Sequence, residues 1–273
     1  MTELAAAELS PASRAFDAVA SSFDDRFGSW LGVAAQRRAV RTAMADAFPI
    51  GSRLIEVGGG TGEDALWLIE RGRHVLLTDA SPEMIRVANR KLGGRAKDQA
   101  RVAAADEIAN VAGGPFDGAY SNFAALNCIR DLRPFASGLA RLLRPGASAI
   151  LVMFGTFCPG EMAVEAIRGR PRNMFRRLAR GDVPARLGGH DFTVRYHRPA
   201  ELQRAMAPWF DLQSRQGIGT FVPPSAAEPW ISRHPRLLAA LEKMDRATSS
   251  PLAMFGDHIL YRFVRTGAAA DDA

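Results

Sequence analysis

Cysteine is nearly missing from this 273-residue chain, which has Cys128 and Cys158 and no others. Two cysteines cannot build a disulfide framework, and neither stands in a metal-ligand spacing, so a disulfide scaffold and a zinc module are both excluded. Lysine is almost as rare. Lys91, Lys97 and Lys243 are the only three, so the net charge of +6 is carried almost wholly by arginine. That balance permits attraction to phosphates, acidic carriers or membrane surfaces without requiring any of them. No apolar run approaches the roughly 20 residues that a membrane-spanning helix needs. No cationic and apolar leader stands in the polar opening "MTELAAAELSPASR", and a reducing, cytoplasmic compartment is the expectation. Internal repeats and low-complexity tracts are lacking as well.

What is present is globular in composition, with 47% hydrophobic and 23% charged residues. The length suits one enlarged domain or a domain with a lid. Apolar residues recur at helical spacing from Phe16 to Phe27 and from Trp30 to Phe48, and the period then shortens at "RLIEV". From there the pattern alternates: strand 53–57, helix 63–71, strand 74–79, helix 82–92, strand 101–105, a short helical turn, strand 117–121, helix 132–143, strand 147–154. Such alternation predicts an α/β, doubly wound and mostly parallel sheet. Ser81-Pro82-Glu83 signals a helix start, and Arg144-Pro145-Gly146 a turn between helix and strand. The expected organisation is N-terminal cap helices (1–50), a ligand-binding core (51–157), a lid insertion (158–200), the C-terminal part of the sheet (201–265) with a helical insertion (222–255), and a disordered tail (266–273).

The loop after the first strand, in "LIEVGGGTGEDAL", holds the chemistry. Ligands of open parallel sheets bind beyond the carboxyl ends of the strands, and glycine there lets a ligand approach the backbone. Gly60, Gly62 and Ala65 satisfy the spacing of a dinucleotide fingerprint, which would make the protein a nicotinamide-dependent oxidoreductase. Glu56, Glu63 and Asp64 argue against it, because they would surround a pyrophosphate with negative charge. A ligand with a cationic amino-acid end fits better. Asp79 ends the second strand, 17 residues after Gly62, where a carboxylate accepts from both hydroxyls of a ribose.

The string "EVGGGTGED" resembles the first motif of the class I S-adenosylmethionine-dependent methyltransferases of small-molecule type, with Glu56, Gly58, Gly60 and Gly62 at its four positions. Further resemblances follow in order to about residue 155: "DASPEM", "AADEIA", "FDGAYSNF" and "LLRPGASAILVMFG". The resemblance implies a Rossmann-like sheet of seven strands with the last antiparallel, helical lid insertions, and S-adenosyl-L-methionine as cofactor. It implies Gly58 and Gly60 against the methionine portion, Glu56 near its amino group, and Asp79 and Ala80 at the ribose. Met84 would touch the adenine, Asp106 or Glu107 would read its edge, and Ser121 and Phe123 would flank the reactive methyl. Phe23, with Asp24, resembles an aromatic-Asp pair that folds over the cofactor, although core packing accounts for it equally.

Methyl transfer needs little more than positioning and exclusion of water. A hydroxyl acceptor would also use a general base, for which His190, Tyr196 and His197 are the candidates. Tyr120, Asn122 and Asn127 are expected to orient the acceptor. Residues 168–180, "RGRPRNMFRRLAR", hold six arginines and suit an anionic, carrier-linked or lipid-linked acceptor, or simply a solvated lid. No nucleic-acid module and no metal site are expected. A protein that binds the cofactor without turnover is the remaining alternative.

Overall fold

The computed structural model describes residues 9–93 and 99–270. Ser10 opens α1 (Pro11–Asp17) by accepting the Ser13 N–H, and Pro11 stands in the first turn where its missing N–H costs nothing. Then come the short α2 (Phe23–Phe27) and the long α3 (Leu31–Ala47), which buries Val40 and Met44. The alternating region follows as β1 (Arg53–Val57), α4 (Glu63–Ile69), β2 (His74–Asp79), α5 (Pro82–Leu92), β3 (Ala100–Val102), β4 (Phe116–Ser121), α6 (Arg133–Leu142) and β5 (Leu143–Phe154). Ser81 caps α5 through the Met84 N–H, as its Ser-Pro-Glu signature requires.

Two boundaries depart most from the sequence reading. β3 stops at Val102 instead of 105, because the chain turns into a 3-10 helix, Ala105–Asn110, that packs on α6 where Gly138 leaves room for Ile108. β5 begins before its Pro-Gly pair, which becomes an irregularity in pairing with β4 and not a turn ahead of the strand.

The insert after β5 contains α7 (Pro159–Ile167), α8 (Pro171–Met174), and a two-stranded hairpin of β6 (Asp182–Leu187) and β7 (His190–Arg195). Gly188 and Gly189, with φ of +57° and +84°, form its two-residue turn, a conformation that glycine adopts without strain. α9 (Pro199–Met206), β8 (Phe210–Ile218), α10 (Pro235–Thr248) and β9 (His258–Arg265) complete the chain.

The sheet order is β3-β2-β1-β4-β5-β9-β8, with β1 to β5 parallel and β9 antiparallel to both neighbours. Strand residues alternate between two cores. Ile55 and Val57 join Phe135, Trp209 and Phe263 on one face, while Leu54 joins Met44, Phe48 and Tyr120 on the other. The segment expected as a disordered tail is tied down as far as it is described: Trp209 Nε1–H donates to Ala269 O at 3.0 Å and Arg265 to Ala268 O at 2.7 Å. Residues 271–273 of that tail, and 1–8 of the cap, lie outside the described residues. Among the described residues, no helix is long and apolar enough to cross a membrane.

Candidate functional site

Beyond β1 the chain turns through Gly58, Gly60 and Gly62, whose φ angles are +69°, +55° and +81°. The amides of Gly58 and Gly59 both donate to Thr78 O, at 2.8 and 3.0 Å, which bends the loop over the end of β2. A Cβ on Gly60 would meet nothing nearer than Met84 Sδ at 4.0 Å, so this backbone faces open space. Gly59 is bare for another reason. A Cβ there would stand 2.6 Å from the carboxyl carbon of Glu56.

Glu56 is buried, and its Oε2 has no hydrogen-bond partner. Burial, reinforced by the charge of Asp64, pushes this carboxyl well above the usual carboxylate range. A sealed carboxyl with an unused oxygen is complementary to a cationic group. Asp79 accepts the Gly60 N–H at 2.9 Å on one oxygen and the Ser81 N–H at 2.9 Å on the other. Burial raises its pKa, and those backbone donors pull it back.

The other acids of the loop are not free. Asp64 receives Arg37 at 3.0 Å, Arg41 at 2.8 Å and Asn122 at 2.8 Å, while Glu63 receives Lys91 at 2.9 Å. Arg37 and Arg41 lie one turn apart on α3 and so reach the same carboxylate. The charge argument against a pyrophosphate therefore rests on Glu56, and Glu63 and Asp64 drop out of it. The cap is clipped to the same region at two points. Asp24 accepts the Thr61 hydroxyl at 2.6 Å and holds Lys91 at 2.6 Å, and Asp17 accepts the Ser81 hydroxyl at 2.8 Å and the Glu83 N–H at 2.9 Å. Phe23 packs with Phe16 and Phe27, and Met84 with Val19 and Ala20.

At the end of β4, Phe123 and Ala124 have φ of +50° and +63°, two successive left-handed residues that are not glycine. Such strain persists only where the surroundings hold it. Here the Phe123 N–H donates to Asn122 Oδ1 at 2.8 Å and the Ala124 N–H to Val152 O at 3.0 Å. The Phe123 ring lies under the Arg37 guanidinium at 4.7 Å and edge-on to His258 at 5.7 Å. His258 opens β9 opposite Phe154 and stacks on its ring at 4.8 Å. Its neighbour Asp257 receives Arg177 at 2.6 Å and Gln36 at 3.1 Å, and Arg177 also donates to Glu161 at 2.6 Å.

With this geometry in place, the likeness to known proteins becomes specific. Residues 54–146, from β1 to the turn in β5, match the family model described as a methyltransferase domain. That stretch is a methyltransferase domain. It is 30% identical over 145 residues to a demethylmenaquinone methyltransferase of Clavibacter sepedonicus, a match covering 53% of this chain and 58% of that relative's length. A solved S-adenosylmethionine-dependent methyltransferase of Mesorhizobium loti shares the fold with a TM-score of 0.54 at 20% identity, covering 85% of this chain and 98% of its own. One described as putative, from Listeria monocytogenes, does so with a TM-score of 0.55 at 15% identity, covering 85% and 97%. The nicotinamide reading of Gly60, Gly62 and Ala65 gives way to this domain match, which includes the loop.

Against this geometry, the expected residues divide sharply. Glu56, Gly58, Gly60, Gly62, Asp79, Ala80, Met84, Ser121 and Phe123 surround the carboxyl ends of β1, β2 and β4. Ser121 Oγ is buried without a partner, as is the Tyr120 hydroxyl beside Glu56 in the register. Asp106 and Glu107 are exposed in the first turn of the 3-10 helix after β3. Asn122 and Asn127, expected at the acceptor, are committed at both amide ends. Asn122 joins Asp64 to Phe123, and Asn127 joins Arg195 O to the Phe154 N–H.

Of the candidate bases, His190 is exposed beside the hairpin turn. His197 is buried, with Nε2–H donating to Ile129 O at 3.0 Å, and burial lowers its pKa. Tyr196 is buried against Phe154, and burial raises its hydroxyl from the usual value despite Arg176 and Arg177 nearby. The six-arginine segment is not one solvated surface: Arg168 pairs with Glu165, Arg176 with Glu161, and Arg177 is buried. Both cysteines are poor nucleophiles, burial pushing Cys128 up to about 12 and Cys158 up to about 11. Sequence reasoning missed Arg37, whose helix gives no sign of crossing the glycine loop, and His258, whose position in "GDHILYRFV" signals only a strand start.

Proposed function

We propose that this protein moves a methyl group from S-adenosylmethionine to a small-molecule acceptor. The observation that carries the reading is the unpartnered Oε2 of Glu56 at the carboxyl end of β1, complementary to the ammonium of the cofactor's methionine end. Arg37, 20% exposed at the side chain and already directed at Asp64, is the cation available to that end's carboxylate. Asp79 has further lone pairs for the ribose hydroxyls, beside Ala80. Met84 offers an apolar surface to the adenine, Asp106 or Glu107 reads its edge, Phe23 closes the cap above it, and Ser121 and Phe123 border the methyl. When bound, the cofactor supplies an electrophilic methyl carbon. The protein's part is to orient the acceptor and keep water out, with the insert at 158–200 as the lid.

The relative's name supports an acceptor bearing a ring, and Arg170 and Arg172 on the insert suit an anionic one. A cytoplasmic setting accords with two free thiols, Cys128 and Cys158. Calorimetry with S-adenosylhomocysteine, S-adenosylmethionine and NAD tests the reading: the sulfur compounds bind and NAD does not. Binding of NAD alone overturns it. Transfer of a labelled methyl to a panel of small acceptors then separates an enzyme from a binding module.

A further inference from the structure

Charged side chains ordinarily lie outside and large apolar ones inside, and the insert after β5 reverses that order. Glu161 and Glu165, the only acids between residues 158 and 181, are both buried. They face the chain that follows them. Glu161 receives Arg176 and Arg177, each at 2.6 Å, and Glu165 receives Asn173 Nδ2 at 3.1 Å. These bonds draw polar groups of α8 and of the turn Arg176–Leu178 down onto α7. Apolar side chains are left outside: Ile167 is 87% exposed, Phe175 53% and Leu178 47%. Arg177 continues to Asp257 at 2.6 Å, and Arg168 donates to Ala226 O, so the reversed segment is fastened to the body of the molecule.

The charge on this face has one sign. Arg170, Arg172 and Arg180 are exposed, and among the described residues no acid lies within ion-pair distance of them. With both acids of the stretch turned inward, the exposed residues from 158 to 181 carry positive charge only. Water solvates the guanidinium groups but not the side chains that stand among them. An anionic bilayer satisfies both, because its phosphates accept paired guanidinium donors while the arginine stems and the neighbouring apolar groups enter the layer beneath. A second copy of this chain fits poorly, since a two-fold interface would set these arginines against themselves.

We propose that this face docks the protein on the surface of an anionic phospholipid bilayer, with Ile167, Phe175 and Leu178 in the acyl boundary and Arg170, Arg172 and Arg180 on the phosphates. No residue of the glycine loop takes part. Docking and methyl transfer can therefore fail independently of each other.

Cosedimentation of the full chain with vesicles tests this, one set of phosphatidylcholine alone and one of equal parts phosphatidylcholine and phosphatidylglycerol. The protein should pellet with the mixed vesicles, pellet far less with the neutral ones, and be released as salt screens the charges. Ile167→Ser, Phe175→Ser and Leu178→Ser together should lower the partition coefficient by about tenfold or more, because less apolar area enters the layer. Arg170→Gln, Arg172→Gln and Arg180→Gln together should remove the preference for the anionic set. Circular dichroism checks that each triple variant keeps its fold; should one not, Phe175→Ser or Arg172→Gln alone carries the same test with a smaller fall. Absence from the mixed-vesicle pellet, equal pelleting with both sets, or pelleting that no variant alters overturns the proposal. Binding of soluble poly-glutamate without binding of vesicles also overturns it, assigning the face to an acidic protein. A concentration-dependent dimer that the apolar triple abolishes, again without vesicle binding, would assign it to a second copy instead.

Discussion

Glu56 shows how one residue can report on its ligand. Its carboxyl is raised by burial and by Asp64, so it keeps its proton to a higher pH than a solvated glutamate does. An ammonium placed beside it favours the carboxylate, and that proton must leave. Binding of S-adenosylhomocysteine should therefore release a proton below Glu56's raised pKa, and affinity should rise with pH up to that point. Calorimetry in two buffers of different ionisation enthalpy reads the proton directly, and Glu56→Gln should abolish it. The glutamate itself was legible, since an acid two residues ahead of a glycine triplet has few other uses. Its companion was not: Gly59 is bare because of where Glu56 turns, and a sequence carries no rotamers.

Among the elements, the insert differs most from what its composition suggests. Six arginines in 13 residues read as a basic surface, yet Arg177 is 6% exposed and spans Glu161 and Asp257, joining the insert to the start of β9. Removing one member of such a pair strands the others. Arg177→Met should cost about 3–5 kcal/mol in denaturant unfolding. Exposed Arg172→Gln should stay within about 0.5 kcal/mol. The partners Glu161 and Asp257 lie 16 and 80 residues away, and no local pattern announces a contact of that span. The parallel strands fared otherwise. β1 and β2 begin and end where apolar periodicity places them, because buried parallel strands leave continuous apolar runs between turn signals. β6 carries no such signal, because a proline and an arginine interrupt its short apolar pattern.

At the scale of the whole molecule, two buried histidines weaken the fold toward acid, against the raised carboxyls of Glu56 and Asp79, which act the other way. His197 and His258 both have lowered pKa values in the fold, burial being the main cause, so at these two sites the unfolded chain binds more protons below about pH 6.5. Stability is lost as pH falls through that region toward the folded values. Replacing His197 with Gln, which can still donate to Ile129 O, should flatten this part of the melting-temperature profile by one histidine's share; an unchanged slope would mean that His197 is charged in the fold.

The cap carries a consequence for time. Asp17 and Asp24 hang two short helices on the turns that follow β2 and β1, the turns that frame the glycine loop. Helices of seven and five residues hold no shape alone, so these carboxylates act as catches on a door. Replacing both with Ala should shorten the residence time of S-adenosylhomocysteine in stopped-flow displacement while leaving its association rate nearly unchanged. Departure, and not arrival, would carry the mark of the two carboxylates.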